Sequence, residues 1–333
     1  MVTTDMDRRD FLRLSLLAGV GATVASGLVS AVSPTRASAL STGSCVFGGH
    51  ALPRGSEATQ RESTLALEAE IGRTLGVFRR YSFWDDPPPD LTHLWAAQGG
   101  RAPYISWHAY TRNKTVIPWS SIAAGDQDAF IRTVGSAMAS FGYPIYFSFH
   151  HEPENDTKNG TAAEFRAAFQ RVRSLFDQQG ATNVTWLCAL MASTYKGGHG
   201  GADAWLPDPG TYSYVGVDGY NRWPLIATPA WRSFDKLFAP ADQKAVQLGK
   251  PLFVAEFGCV EQVQPSYTAG DPNAKAAWFQ GVGQTTQQWG NVAALCYSHA
   301  GATFNGKLMP YWVDSSSVSL DAFTALGHSA YFA

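Results

Sequence analysis

The sequence predicts a closed barrel of eight parallel strands with helices between them, the (β/α)8 or TIM barrel, as a single domain. Short apolar runs alternate with longer amphipathic segments, which is typical of parallel strands joined by helical crossovers. That unit recurs eight times, which favours a closed barrel over a doubly wound open sheet. The Gly48-Gly49 pair after the first run is also too short for the glycine-rich nucleotide fingerprint of an open sheet.

The apolar runs have the length of buried strands, and the segments between them have the spacing of amphipathic helices. Asp126 and Thr161 lie at the starts of two of these segments and are candidate helix caps or cap neighbours. Four glycines between residues 197 and 201 predict a loop between the fifth and sixth strands instead of a helix. The predicted strands are residues 46–49, 76–83, 103–107, 145–150, 184–190, 214–219, 251–256 and 293–298, and the clearest predicted helices are residues 56–75, 126–141, 162–179, 231–248 and 273–289.

The first 39 residues have the pattern of an export signal. A twin-arginine motif, Arg8-Arg9, precedes an apolar run over residues 14–32, and Ala37-Ser38-Ala39 supplies the small residues of a signal-peptidase site. We therefore expect a twin-arginine-type signal peptide at residues 1–39, a mature domain at residues 40–333, and a secreted protein with no stable membrane association after cleavage. An uncleaved membrane anchor is the alternative, although glycine and serine make the run weakly hydrophobic.

Composition bounds the function. The chain has 45% hydrophobic residues and a net charge of -2, which excludes a disordered chain and gives no reason to expect nucleic acid as a partner. Eleven tryptophans and 13 tyrosines provide rings for the core and for a sugar-binding groove. The sequence has four cysteines without metal-ligand spacing, which predicts no structural zinc and leaves disulfides or buried free thiols open: Cys45, Cys188, Cys259 and Cys296. We expect a monomer that needs no cofactor.

Polar and aromatic residues follow the predicted strands, where a barrel of this kind carries its active site. Glu152 follows the fourth strand and Glu256 ends the seventh, so they face each other across the mouth of the barrel. Glycoside hydrolysis needs two carboxyl groups, about 5–5.5 Å apart in retaining enzymes. Burial beside an apolar strand raises the pKa of a carboxyl group, which suits an acid. Glu256 has to stay ionised, and Tyr220 is a candidate hydrogen-bond donor for it; two ordinary solvated glutamates are the alternative.

These motifs resemble a known group of enzymes. The segments FHHEP (residues 149–153) and VAEFG (residues 254–258) are similar to those of the clan of retaining (β/α)8 glycosidases. In that clan the acid/base ends the fourth strand and the nucleophile ends the seventh, which implies these roles for Glu152 and Glu256. His151 stands where most of the clan has asparagine, and this resembles glycoside hydrolase family 26, the β-mannanases. The resemblance covers about residues 45–330.

The same resemblance implies substrate-binding residues. Ser106-Trp107-His108 and Asp218-Gly219-Tyr220 are similar to the ends of the third and sixth strands of that family, where the tyrosine hydrogen-bonds the nucleophile. The predicted substrate-binding residues are His151, Trp107, His108, Tyr220, Asp218, Trp223 and Tyr297.

Two positions depart from the family. Ser148 stands where the family often has an arginine that helps to keep the nucleophile ionised, and Tyr297 is the aromatic residue nearest to the place of a tryptophan at the end of the eighth strand. A catalytic metal is not expected, because Pro153 argues against the helix of an H-E-x-x-H site. The predicted function is a retaining endo-β-1,4-mannanase acting on a β-linked polysaccharide. The alternatives are a retaining xylanase, a retaining β-glucanase, and a carbohydrate-binding barrel without catalysis.

Overall fold

The computed structural model describes residues 44–223, 231–263 and 270–332. The predicted signal peptide lies outside these residues. Eight parallel strands form a closed barrel in which each strand pairs with the next and the eighth pairs with the first. The (β/α)8 prediction is therefore confirmed. The barrel strands are β1 Val46–Ala51, β2 Val77–Ser82, β3 Ala102–Trp107, β4 Ile145–Phe149, β5 Val184–Met191, β6 Tyr214–Asn221, β7 Leu252–Cys259 and β8 Val292–His299.

Helices surround the barrel, and a hairpin of β9 (Gly301–Phe304) and β10 (Lys307–Pro310) follows β8. No helix in the described parts of the chain is long and apolar enough to cross a membrane. The helices, numbered along these residues, are α1 Gln60–Ile71, α2 Leu91–Gln98, α3 Trp119–Ala124, α4 Asp128–Ser140, α5 Ala162–Gln178, α6 Ala192–Tyr195, α7 Ala202–Trp205, α8 Phe234–Gln247, α9 Ala274–Trp289 and α10 Ser317–Gly327.

Side-chain caps mark the start of four of the numbered helices, α1, α2, α5 and α10. Thr161 caps α5 as predicted, because its hydroxyl accepts from the backbone N–H of Glu164 while that side chain accepts from the Thr161 N–H. Asp126 is a cap neighbour, since the N-cap residue of α4 is Gln127, which makes no side-chain cap. Helices α2, α3 and α10 were not predicted, and the glycine-rich stretch after β5 contains the short helices α6 and α7.

The core has two layers, one inside the barrel and one between barrel and helices. Tyr104 and Phe253 fill the barrel interior, whereas Trp107, Trp186 and Phe165 pack outside the strands against the helices. All four cysteines are buried free thiols. The open question about disulfides is thereby answered, since none of these residues forms one.

A bulge between β6 and β7 positions two acidic residues. Val217 pairs with Val254, but the next pair is Asp218 with Glu256, so β7 holds one extra residue at this point. Such a bulge bends the strand and changes the direction of the side chains that follow. It brings Asp218 and Glu256 side by side at the carboxyl end of the barrel.

Candidate active site

Glu256 lies at the centre of the barrel mouth and is held by three side chains. Its carboxylate forms an ion pair with Arg79 and accepts hydrogen bonds from the hydroxyls of Tyr81 and Tyr220. The contact with Tyr220 is the one expected from the sequence. Burial raises the pKa of Glu256, and the Arg79 guanidinium opposes this effect by stabilising the charged form. The net shift is upward, and the cation and the two phenol donors hold the carboxylate in one position and favour its charged form.

Arg79 was not predicted, and it supplies the positive charge that Ser148 lacks. It comes from β2, is fully buried, and lies within 4.3 Å of the ring centre of Tyr81 and 5.0 Å of that of Tyr104. Its Nη2 also donates to the hydroxyl of Ser106 at 3.3 Å. Small serines on β3 and β4, paired in register as Ser106 and Ser148, leave room for this guanidinium inside the barrel. A sequence signal existed, because Arg79 and Tyr81 are two residues apart and therefore share one face of a strand.

Glu152 follows β4 in an uncommon backbone conformation. Both His150 (φ 49°) and Glu152 (φ 48°) are in the left-handed region, which is unfavourable for residues other than glycine. Backbone hydrogen bonds from His150 N to Trp107 O (2.9 Å) and from Glu152 N to Ala189 O (3.0 Å) hold this bend. The strand therefore ends at Phe149, one residue earlier than predicted, and the bend directs Glu152 into the mouth.

The Glu152 carboxyl group has the environment of an acid. Its side chain is 23% exposed, and the Asn155 amide donates to its Oε2 at 2.9 Å. Burial raises its pKa, and the Asn155 hydrogen bond opposes this effect. A carboxyl group with a raised pKa keeps its proton closer to neutral pH, which suits proton donation.

The neighbouring Glu154 anchors the turn that carries Glu152. It is buried, and its Oε1 accepts from the Met191 N–H at 2.6 Å and from the Thr194 hydroxyl at 2.7 Å. Burial raises its pKa to about 7. These bonds attach the turn at Pro153–Asn155 to the end of β5, so the segment after β4 has a fixed support.

His151 lies between the two catalytic candidates. Its Nε2 is 4.0 Å from Glu152 Oε2 and 3.8 Å from Glu256 Oε1. Both carboxyl groups therefore lie near the same ring nitrogen, a spacing that admits the ~5–5.5 Å of retaining enzymes. Burial lowers the pKa of His151 to about 3, with Arg79 contributing, so the ring is neutral over the working range of most enzymes.

His108 and its neighbours form one wall of a cleft beside Glu152. The His108 ring stacks on Tyr110 with centroids 4.6 Å apart and on Tyr81 at 5.5 Å. Burial lowers the pKa of His108 well below its usual range. The cleft has a volume of about 390 Å³, reaches the exposed Lys114, and contains His151 and Glu152 in its lining. A sugar bound here would meet aromatic faces on one side and the acid candidate on the other.

The structure corrects three of the predicted substrate-binding residues. Trp107 has no exposed surface, stacks on Trp84 at 4.6 Å in the outer core, and donates its indole N–H to Phe83 O. Tyr297 is also fully buried, and its hydroxyl donates to Tyr311 O at 2.6 Å. Both side chains point out of the barrel, because side chains alternate along a strand and the serines beside them, Ser106 and Ser298, point inward.

Asp218 is the third correction. Its side chain is fully buried beneath His151, with Oδ2 2.8 Å from the Nδ1 of that ring. It therefore lies behind the residues that line the mouth and does not contact a substrate.

Trp223 keeps a partly exposed position after β6, with its ring 6.2 Å from that of Trp231 in an edge-to-face contact. It borders residues 224–230, which lie outside the described parts of the chain. Its predicted role in binding sugar stays a prediction.

Two groups of side chains have the composition of metal ligands. One consists of His151, Glu152 and Asp218, and the other of His108, His150 and Asp156. In the second group, His150 Nδ1 accepts N–H bonds from the Ala109 backbone (3.2 Å) and the Trp119 indole (3.3 Å). The imidazole proton is therefore on Nε2, which lies 2.9 Å from Asp156 Oδ2. A hydrogen bond already occupies the atom that a metal would need.

Comparison with known proteins agrees with this fold. No protein-family model matches the sequence. Endoglucanase H of Acetivibrio thermocellus is 26% identical over 218 residues, which are 60% of this chain but only 23% of that protein, so the chain spans about a quarter of the relative's length.

Solved structures resemble the whole barrel. The catalytic domain of the Bacillus sp. JAMB-750 GH26 endo-β-1,4-mannanase has a TM-score of 0.61 at 15% identity and covers 87% of both chains. A β-mannanase from a symbiotic protist of the termite Reticulitermes speratus, complexed with gluco-manno-oligosaccharide, has a TM-score of 0.59 at 13% identity, covering 88% of this chain and 89% of that one. A Cellulomonas fimi endo-β-1,4-mannanase gives 0.60 at 14% identity, over 87% and 72%. At these identities the likeness shows the shared fold.

Proposed function

We propose that this chain is a retaining β-glycoside hydrolase of the family 26 kind, with Glu256 as nucleophile and Glu152 as acid/base. The observation that carries the proposal is the difference between the two carboxyl groups that lie near His151 Nε2. Burial raises the pKa of both groups, but Glu256 is paired with a buried guanidinium and two phenol hydroxyls that favour its charged form, whereas Glu152 has a partly exposed side chain that is hydrogen-bonded by the Asn155 amide. Two carboxyl groups whose environments separate their protonation states are the basis of acid/base assignment in glycosidases.

In the first step, a Glu256 oxygen attacks the anomeric carbon of the bound sugar. The glycosidic C–O bond breaks, and the leaving oxygen takes the proton of Glu152, so a covalent glycosyl-enzyme forms and Glu152 becomes charged. Tyr81 and Tyr220 hold the Glu256 carboxylate in position for this attack.

In the second step, the charged Glu152 accepts a proton from water. The hydroxide adds to the anomeric carbon and the bond to Glu256 breaks, which returns both carboxyl groups to their starting states. Two inversions give net retention of anomeric configuration. All groups required are side chains of this chain, and no cofactor takes part.

We infer that the substrate is a β-1,4-linked mannan or glucomannan, cleaved internally. The support is the likeness to solved mannanases, including one complexed with gluco-manno-oligosaccharide. The aromatic wall formed by Tyr81, His108 and Tyr110 fits a polymer, because rings stack on the apolar faces of sugars.

A β-glucan is the second candidate substrate. It is favoured by the sequence relative, which is an endoglucanase. The end of β8 also differs from the expected clan pattern, because Tyr297 is buried and Ser298 points into the mouth. A different side chain beside the reacting sugar alters which sugar fits the site.

The test is release of reducing sugar from mannan, glucomannan, mixed-linkage β-glucan and xylan by the purified protein. We expect release from mannan or glucomannan, and none from the matched variant Glu256→Ala. Release from β-glucan alone would change the substrate and keep the mechanism. Binding of a polymer without release at any pH from 4 to 8 would instead support a carbohydrate-binding barrel.

The protein is proposed to act outside the cell after twin-arginine export. The support is the Arg8-Arg9 motif, the apolar run and the Ala37-Ser38-Ala39 site of the sequence. Expression with Arg8 and Arg9 replaced by lysine should leave the enzyme inside the cell, and secretion of that variant would contradict the proposal.

A further inference from the structure

The buried contacts of His151 define which of its nitrogens carries the proton. Arg79 Nη2 is aimed at His151 Nδ1 at 3.0 Å. A guanidinium group only donates hydrogen bonds, so Nδ1 has to be the acceptor. The proton of the neutral ring is then on Nε2, the atom that faces both Glu152 and Glu256.

This assignment has a consequence for Asp218. Its Oδ2 lies 2.8 Å from the same Nδ1, a distance at which one of the two atoms carries a proton. Since Nδ1 is an acceptor, that proton belongs to the carboxyl group. Among the described residues, neither oxygen of Asp218 has a hydrogen bond of good geometry, although the backbone N–H of Glu256 lies near enough to favour the charged form, and the side chain has no exposed surface. An ionised carboxylate in such a place would be strongly unfavourable.

We propose that Asp218 is a neutral carboxylic acid whose O–H shares the single Nδ1 lone pair of His151 with the Arg79 N–H, and that these two donors fix His151 with its Nε2–H toward the two catalytic carboxyl groups. Asp218 is thus a positioning residue that acts through His151. The inference rests on the proposed function, because it assigns a role in that reaction. The N–H dipole of His151 favours negative charge on Glu256 throughout and on Glu152 after proton transfer.

The charges around Asp218 agree with a neutral acid. In the proposed mechanism the charge of the cation, Arg79, balances that of the anion, Glu256, and Glu152 carries its proton in the resting enzyme. Burial raises the pKa of Asp218 to about 7, although Arg79 opposes the shift. The other titratable groups that face Asp218 are neutral near this pH: His151, Tyr104, Tyr195, Tyr220 and Cys296.

The first test is the tautomer of His151, measured by ¹⁵N NMR of histidine-labelled protein at pH 5.5, with His151→Gln to assign the signal. We expect an unprotonated Nδ1 and a protonated Nε2. A protonated Nδ1 would overturn the proposal. This measurement needs no substrate, so its result is independent of whether the protein hydrolyses a glycan.

The second test compares two variants of Asp218. The amide of Asp218→Asn replaces the O–H donor, so we expect kcat to exceed that of Asp218→Ala by roughly tenfold or more. Equal losses in both variants would contradict a donor role. Asp242→Asn is a matched control, since Asp242 is a partly buried aspartate with a raised pKa on α8; it should match the wild type in both the tautomer and kcat. A wild type without turnover would refute the proposed function and leave the NMR result to decide this inference.

Discussion

Arg79 on β2 forms an ion pair with Glu256 on β7, across the interior of the barrel. The guanidinium has no exposed surface, and the Glu256 side chain is only 8% exposed. A buried carboxylate without a partner would take up a proton, because desolvation disfavours the charged form. In the proposed mechanism, the ability of Glu256 to act as a nucleophile therefore depends on Arg79.

Replacing Arg79 by methionine should lower kcat/KM by on the order of 100-fold or more, because the nucleophile loses its main electrostatic support. The pKa of Glu256 rises in this variant. Since the nucleophile has to be ionised, the acidic limb of the pH profile moves to higher pH. Arg80→Met is the matched control, because Arg80 pairs with Asp90 at 3.0 Å away from the site. An unchanged acidic limb in Arg79→Met would contradict this account.

The arginine can also be moved. Ser148 pairs in register with Ser106, which the guanidinium of Arg79 contacts. The double variant Arg79→Ser, Ser148→Arg should regain part of the activity that Arg79→Ser loses, because either strand can deliver a cation to Glu256. The measurement is kcat/KM of the single and double variants. A double variant that folds but is no more active than Arg79→Ser would show that the position on β2 is required.

Asn155→Ala should move the basic limb of the pH profile. The amide of Asn155 donates to Glu152 Oε2 at 2.9 Å and lowers the pKa of that carboxyl group. Without this bond the pKa of Glu152 rises, so the acid keeps its proton up to a higher pH. The basic limb of the profile therefore moves to higher pH. The kcat/KM profile between pH 4 and 9 measures the shift. A basic limb moved to lower pH would contradict the assignment of Glu152 as the acid.

Gly258→Ala should disturb the site through Tyr220. A Cβ at this position would lie 2.8 Å from Tyr220 Cδ1, which is closer than two non-bonded carbon atoms approach each other in proteins. The ring that donates to Glu256 has to move, so we expect kcat to fall by roughly tenfold, as for loss of one positioned donor. Gly281→Ala, in the middle of α9, is the control, because an added Cβ there would meet no described atom within 4 Å outside its chain neighbours and the backbone of its own helix. It should keep activity and raise the free energy of unfolding by about 0.5–1 kcal/mol.

Much of the fold followed from the sequence, because apolar runs of strand length are a local signal. All eight barrel strands lie within a few residues of their predicted positions. The helices that were missed are short or lie at the C-terminus. Only tertiary packing decides whether such segments become helical.

The candidate site was predicted in part. Glu152 and Glu256 could be found because each stands beside an apolar strand that ends at the barrel mouth. Trp107 and Tyr297 were assigned to the site because they end strands. Because side chains alternate along a strand, both rings point into the outer core. Which residues of a strand point inward depends on the strand register, and a single sequence does not show that register. Arg79 was missed because its partner lies on a strand far along the chain, and only closure of the barrel brings the two together.

The central claim is the double displacement through Glu256, and covalent trapping tests it most directly. The wild type is incubated with an activated 2-deoxy-2-fluoro-β-glycoside of the sugar that it hydrolyses, digested, and examined by mass spectrometry. We predict inactivation with one glycosyl adduct on Glu256, and none in Glu256→Ala. An adduct on another residue, or turnover with inversion of the anomeric configuration, would contradict this account.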